Sequence, residues 1–354
     1  MESTHIKVVL VGFGSVSQHF CKIILLKQRP KKLFERIRVV GVCDSSGAIY
    51  DENGFSLQQL LNHKEKTGLV EFASTQNQEQ IRSFKDAEEM VKSIPSYDVL
   101  VDASPVNLND GNPGLQCARI SIARGANVVF ANKAPLVLDY KGLHDLAIEQ
   151  KVEIAFSATV CGGLPVINVG QRDLVGADFV SIKGIFNSTT NYILSQMELG
   201  NSREHALAEA QKTGIAEADP HLDVAGIDTA NKLVIIANSL LKIDTPIRLE
   251  QVVICGIEKI SKQDLDSAKA EGYTIKLVAS ATMDKNMKKY SYTVAPERVE
   301  IDSFLGRASN TDMCICFETD IYETISMKTN ETGVFPTSAA VLRDILNMKR
   351  FKLK

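Results

Sequence analysis

At 354 residues the chain exceeds one ordinary core and points to two domains of about 100 to 200 residues each. Lys plus Arg number 40 and Asp plus Glu 43, a net charge of −3 with the charges scattered, which argues against nucleic acid or an anionic membrane as the main partner. A hydrophobic content of 44% with 23% charged residues is that of a globular chain, not a disordered one.

The amino terminus passes directly into an apolar strand, without the basic, apolar and small-residue regions of an export signal. Apolar stretches such as 233–237 fall far short of the roughly 18 residues of a membrane span. The 7 cysteines are odd in number and form no paired zinc spacing, and Cys314 and Cys316 alternate within an apolar segment that reads as strand core. Reduced thiols in a cytoplasmic protein are the expectation.

Segment 6–20 carries the first functional signal: an all-apolar run at 8–11 meets a glycine turn and then helical periodicity through Leu26. Gly12 serves the tight turn, and Gly14 lets the backbone approach a pyrophosphate seated on the helix amino terminus. Ser17 takes the place of the third glycine of this fingerprint, where its hydroxymethyl is expected to crowd the packing of helix on strand. In isolation, such a match is equally an ordinary strand-to-helix turn. Further apolar strands at 37–43, 99–101 and 128–130, separated by helix-like segments, extend it into a Rossmann-type, doubly wound α/β domain ending near residue 140.

Asp44 follows the second strand, where an acidic side chain accepts hydrogen bonds from an adenosine ribose and disfavours a 2′-phosphate. The small residues Ser45, Ser46 and Gly47 suit NADP equally, so NAD and NADP both stay open. Lys64 and Lys66 read as solvated surface lysines, with neutralisation of a 2′-phosphate as the alternative.

Past residue 150 an acidic cluster of Glu217, Asp219, Asp223 and Asp228 precedes Lys232. Asp228 and Lys232 stand at i and i+4 and share a helix face. A surface pair of this kind contributes about 0.3 to 0.5 kcal/mol. The apolar run at 233–237 and the small residues Ala225, Gly226 and Ala230 point instead to a covered helix, where an unpaired ammonium is costly. A carboxylate-oriented lysine there suits a proton donor, and spacing alone leaves both readings open.

Three ordered motifs then carry a resemblance: Ala131-Asn132-Lys133, Asn187-Ser188-Thr189-Thr190-Asn191-Tyr192, and the run 214–232 with its glycine, acidic, proline and lysine positions. Together they resemble the homoserine dehydrogenase family over nearly the whole chain, with Ile215 where an aromatic is usual and Ser188 where a glycine is. The resemblance implies reversible hydride transfer between NAD or NADP and the pair L-homoserine and L-aspartate 4-semialdehyde, on the route to threonine and methionine. Negative charge develops on the aldehyde oxygen as hydride arrives, and a positioned ammonium both stabilises it and supplies the proton. Lys232 matches the family's acid/base position and Lys133 its second lysine, near nicotinamide and substrate. Glu217 and Asp228 match positions that hold the substrate and orient Lys232, and Thr189, Thr190 and Asn191 are candidates for the substrate carboxylate.

On the cofactor side the resemblance carries over to Phe13, Gly14, Val16, Ser104 and Gly333, the last following Glu331 and Thr332 where the family has a glycine-rich run. It also implies a monovalent cation, sodium or potassium, on the carbonyls of Val160, Gly162 and Leu164, weakened here because Ser157 replaces a glutamate. The implied architecture is a dinucleotide domain over 1–140, completed by a final helix within 335–354. Residues 141–334 then form an α+β catalytic and dimerisation domain on a mixed sheet with strands at 179–186, 274–281 and 313–317, and the assembly is a homodimer. The chain ends too soon for the family's regulatory domain, so feedback inhibition through one is not expected.

His19, His144, His205 and His221 share no metal-ligand spacing. Two other readings stay open. One is a different amino-acid or semialdehyde oxidoreductase on the same scaffold, for which Cys161 is the candidate nucleophile. The other is a dinucleotide-sensing regulator without catalysis, to which the substitutions Ser17 and Ser157 lend support.

Overall fold

The computed structural model describes residues 5–27, 36–64, 69, 80–217, 219–284 and 289–351, and Lys66 lies outside the described residues. The chain divides into two compact units, Met1–Gly162 with Val334–Lys354, and Gly163–Gly333. Among the described residues no helix is long and apolar enough to cross a membrane.

The first unit is built on strands β1 (Ile6–Val11), β2 (Ile37–Asp44), β3 (Gly47–Tyr50), β4 (Arg82–Phe84), β5 (Val99–Asp102), β6 (Asn127–Phe130) and β7 (Ile154–Ala155). They form one sheet in the order β4-β3-β2-β1-β5-β6-β7, parallel except for the antiparallel β3 and β4 at one edge. Val8, Val9, Leu10 and Val11 are all buried, because helices cover both faces of a parallel sheet and no residue of a central strand can point to water. The helices are α1 (Ser15–Lys27), α2 (Leu57–Lys64), α3 (Ala87–Ser93), α4 (Gly114–Ala123) and α5 (Ala134–Gln150).

The carboxyl-terminal helix Phe335–Asn347 returns to this unit and shares one apolar core with α1: Ala340, Val341 and Ile345 lie in the same cluster as Phe20 and Ile24. At roughly 1.5 to 3 kcal/mol for each large aliphatic side chain removed from water, that shared face holds the chain end in place. The unit extends to Gly162, past the expected limit at 140, because α5 continues to Gln150 and β7 then adds the seventh strand. Strand order reverses at β1, which lies between β2 and β5, and in such sheets the crevice at the carboxyl ends of the strands is where ligands bind.

The second unit holds β8 (Phe179–Ile185), β9 (Val253–Ile254), β10 (Tyr273–Asp284), β11 (Lys289–Glu300), β12 (Asp312–Thr319) and β13 (Thr324–Asn330). The order is β13-β12-β8-β10-β11-β9, antiparallel throughout except for parallel β9 and β11, so the sheet is mixed. Its helices include α6 (Ser188–Glu198), α7 (Arg203–Lys212), α8 (His221–Val224), α9 (Ile227–Leu240) and α10 (Lys262–Ala270). The expected strands at 179–186, 274–281 and 313–317 are the cores of β8, β10 and β12. In α9, Leu233 to Ala237 are all at 0% exposure, so this helix is covered and its position along the sheet is set by the apolar run.

Candidate active site

In the first unit Gly12 has φ 90°, and a Cβ there would lie 2.4 Å from the Ala103 carbonyl oxygen, so only glycine fits this turn. At Gly14 a Cβ would meet nothing within 4 Å, which leaves its backbone open to approach. Ser17 does not crowd the packing: it is buried, and its hydroxyl donates to the Gly12 carbonyl at 2.6 Å, fastening helix to turn with a hydrogen bond where a glycine would give only close contact. Over this turn lies a cavity of about 550 Å³ lined by Gly12, Phe13, Gly14, Asp44, Lys64 and Ser104 among others. Val16 and Gly333 are not among its lining residues. A glycine turn with open backbone, a helix amino terminus and an acidic side chain after β2 fit a dinucleotide.

Asp44 closes β2, and its Oδ1 accepts from the Ser46 amide at 2.8 Å and the Ser46 hydroxyl at 2.6 Å, while Oδ2 accepts from Lys64. Burial alone would raise the Asp44 pKa, but the hydrogen bonds from Lys64 and Ser46 outweigh it and hold the carboxyl below its ordinary value. Lys64 is thus not the solvated surface lysine expected. Helix α2 brings it onto the carboxylate at the cavity wall, with its side chain 23% exposed.

Ser104 follows β5 and lines the same cavity, and Lys133 stands at the amino-terminal cap position of α5, directly after β6. In the segment 157–164 the serine at 157 bonds within its own unit. The Ser157 amide and hydroxyl both donate to Asp344, at 2.8 and 2.6 Å, and Arg343 donates to the same hydroxyl at 3.0 Å. A serine in place of glutamate is therefore committed within its own unit, and the carbonyls of Val160, Gly162 and Leu164 have no carboxylate from position 157. Cys161 is 1% exposed, which removes it as an accessible acylating nucleophile. No group of three or more His, Cys, Asp or Glu suited to a metal occurs among the described residues.

In the second unit Gly226, in the left-handed region at φ 79°, turns the chain from α8 into α9. This places Asp228 in the first turn of α9 and Lys232 one turn on, with Lys232 Nζ 2.7 Å from Asp228 Oδ2 and each side chain 13% exposed. Lys232 also donates to the Phe186 carbonyl at 2.6 Å, at the end of β8. Asn187 follows and joins the cluster. Its Nδ2 donates to Asp223 Oδ1 at 2.7 Å and to Asp228 Oδ2 at 2.9 Å, and its Oδ1 accepts from the Thr190 amide at 2.8 Å, capping α6. One amide therefore ties the start of α6 to α8 and α9.

Glu217 and Asp219 are exposed in the loop before α8, and Asp219 accepts from the His221 amide at 3.0 Å. The threonines and Asn191 are hydrogen-bonded within the second unit. Thr190 is fully buried with its hydroxyl donating to the Asn187 carbonyl at 3.2 Å, Thr189 donates to the Ile215 carbonyl at 2.9 Å, and the Asn191 amide donates to the Asp312 carbonyl at 3.1 Å. All three lie on the first turn of α6, and each side chain donates one hydrogen bond within the unit.

Two residues were absent from the sequence-based candidate set: Asn187 and Asp102. Asn187 was legible as a helix cap, an Asn before a helical run, but its bridge to two carboxylates was not. Asp102 was visible as an acid closing an apolar strand, with no local hint of its partners.

Comparison with known proteins gives a consistent result. The family model described as homoserine dehydrogenase matches residues 165–346, and that described as Glutamate/Leucine/Phenylalanine/Valine dehydrogenase matches residues 1–151. The homoserine dehydrogenase of Methanocaldococcus jannaschii is 36% identical over 343 residues, covering 96% of this chain and 98% of its own. Among solved structures, a putative homoserine dehydrogenase from Archaeoglobus fulgidus has a TM-score of 0.82 at 34% identity, covering 96% of this chain and 98% of that one. A hyperthermophilic archaeal homoserine dehydrogenase in complex with NADPH has a TM-score of 0.81 at 25% identity, over 99% of both chains.

Proposed function

This chain belongs to the homoserine dehydrogenase family, and from that premise we propose that it catalyses reversible hydride transfer between L-homoserine and L-aspartate 4-semialdehyde. The observation that carries the chemistry is the Lys232 ammonium, held by Asp228 at 2.7 Å and by the Phe186 carbonyl at 2.6 Å. Two acceptors on different elements fix the position of Nζ, as a general acid requires. A bound nicotinamide dinucleotide supplies the hydride donor or acceptor. In the reducing direction Lys232 gives a proton to the oxygen as the carbonyl becomes an alcohol; in the oxidising direction it takes that proton back. Asp228 orients the lysine, and Asn187 keeps Asp228 in place. The exposed carboxylate of Glu217 is the group we assign to the substrate ammonium, and Lys133 the group that serves the nicotinamide end of the cofactor.

A homodimer through the mixed sheet completes the proposal. The edge strand β13, with its alternating exposed and half-buried residues, is open to a second copy.

The test is homoserine-dependent reduction of NAD⁺ and NADP⁺ by the purified protein at mildly alkaline pH. A homoserine-specific rate is expected. A folded protein that binds either nucleotide yet shows no rate would return the sensing reading to the front.

Cofactor preference follows from Asp44 and Lys64. The lysine neutralises the carboxylate that would repel a 2′-phosphate and places an ammonium at the cavity wall, so both nucleotides are expected to bind, with NADP favoured. Lys64→Ala is expected to shift the NADP to NAD ratio of kcat/KM toward NAD by about tenfold or more, the worth of one charge-assisted hydrogen bond. An unchanged ratio would show that Lys64 does not face the ribose.

A further inference from the structure

In the first unit one carboxylate lies beneath the cavity rather than in its wall. Asp102, the last residue of β5, is at 0% exposure. Its Oδ1 accepts from the Ser104 amide at 3.0 Å and the Ser104 hydroxyl at 2.6 Å, and its Oδ2 accepts from the Asn132 side-chain amide at 3.2 Å. Asn132 Nδ2 also reaches the Ser104 hydroxyl at 3.1 Å, which closes a triangle of three side chains. The backbone carbonyl of Asp102 accepts from the amides of Ala131 and Asn132, at 2.8 and 3.1 Å. Asn132 Oδ1 in turn accepts from the Ala134 amide at 3.0 Å, so Asn132 sets the first turn of α5 on either side of Lys133. Helix α4 makes room for the arrangement with Gly114, where a Cβ would lie 2.1 Å from Asp102 Oδ2.

We propose that Asp102 is a positioning residue for dinucleotide binding: its carboxylate clamps the Ser104 turn after β5 to the Asn132-Lys133 turn after β6, and so shapes the floor of the cofactor cavity. This rests on reading that cavity as the dinucleotide site. Among the described residues no ammonium or guanidinium is hydrogen-bonded to this carboxylate. Burial pushes its pKa up to about 6, against the lowering effect of the Ser104 and Asn132 hydrogen bonds. The groups around it are the Ser104 and Asn132 side chains, Lys133 at the start of α5, and from α4 the Cys117 thiol, which burial holds far above the working range. Protonation leaves one oxygen a donor facing the Asn132 amide, which is also a donor. Asn132 cannot turn its oxygen there without losing the Ala134 amide, so the clamp opens as pH falls through about 6.

The full chain is titrated with NADH, which carries no 2′-phosphate to ionise in this range, by nicotinamide fluorescence from pH 5 to 8. Wild type is compared with Asp102→Asn, which keeps every other titrating group, His19 on α1 included. Wild type is expected to lose NADH affinity along a single step centred near pH 6. D102N is expected to bind about tenfold or more weakly at pH 8, as one lost charge-assisted hydrogen bond implies, and to lack the step. Its KM for homoserine is expected to stay at the wild-type value, a split that general loosening of the fold would not produce. Wild-type affinity and an intact step in D102N overturn the proposal. If D102N does not fold, Asn132→Ala keeps the carboxylate and removes the Asn132 links to Asp102, Ser104 and the Ala134 amide; unchanged NADH binding and an intact step in N132A then overturn it. Because binding needs no homoserine, a chain that shows the step but no turnover keeps the clamp and loses the proposed reaction. One that turns over homoserine without the step does the reverse. A chain that binds neither NADH nor NADPH overturns both.

Discussion

Replacing Lys232 by alanine is expected to lower kcat for homoserine oxidation by about 10² to 10⁴ and to leave nucleotide binding unchanged. The lysine lies in the second unit, while Gly12, Gly14, Asp44 and Ser104 of the cofactor cavity lie in the first, so removal of one ammonium leaves that cavity intact. Asp228 loses one partner but keeps the Asn187 amide at 2.9 Å, which limits the structural damage. Lys232→Arg separates the two duties of the ammonium. A guanidinium still pairs with Asp228 and still stabilises a developing oxyanion, but it does not release its proton at working pH. If proton transfer is the task, K232R stays as slow as K232A; if charge alone matters, K232R recovers most of the rate. Steady-state kcat and a separate NADPH titration on both variants decide the matter. Turnover near wild type in K232A would remove Lys232 from the mechanism.

The parts of this molecule that could be read from sequence are those governed by local periodicity. The apolar run at 8–11 and the glycine turn each depend on neighbours a few residues away, and each lies where the pattern placed it. Asp228 and Lys232 are of the same kind, one helical turn apart and ion-paired. The side-chain ties that organise the sites have no such period. Asn187 meets Asp228 across 41 positions, Asn132 meets Asp102 across 30, and Ser157 meets Asp344 across 187. A polar side chain at a strand end or helix start signals that its hydrogen bonds must go somewhere, but only the fold shows where. For this reason Ser17 reads as a crowding residue in the sequence when its hydroxyl is a fastening, and the hydrogen bonds that tie Thr190 to Asn187 are not legible there. Edge strands β3 and β4 escaped for a different reason. At 4 and 3 residues they are too short to show alternation, and hydrogen bonding of β3 to β2 and of β4 to β3 holds them in strand form.

Asn187 is where stability and chemistry meet, and two substitutions pull the roles apart. Asn187→Ala removes the cap acceptor from the Thr190 amide, a loss of about 0.5 to 2 kcal/mol, and also the donor that lies between Asp223 and Asp228. Two carboxylates then face each other without the bridging amide, Asp228 holds Lys232 less firmly, and kcat is expected to fall at least about tenfold. Asn187→Asp keeps a good cap acceptor, so α6 retains its start. In place of the bridging amide, however, it sets a third carboxylate against the other two. Like charges at hydrogen-bonding distance cannot all stay ionised, so one member of the set takes up a proton at higher pH than an isolated carboxyl does. N187D therefore binds more protons folded than unfolded in the mildly acidic range, and its stability deficit relative to wild type shrinks as pH falls through that range. At neutral pH its kcat is expected to be lower than that of N187A despite the intact cap. Thermal unfolding and kcat measured for both variants from pH 5 to 8 separate the roles: N187D with wild-type turnover at pH 8 would show that the amide serves α6 alone and that Lys232 and Asp228 orient each other without it.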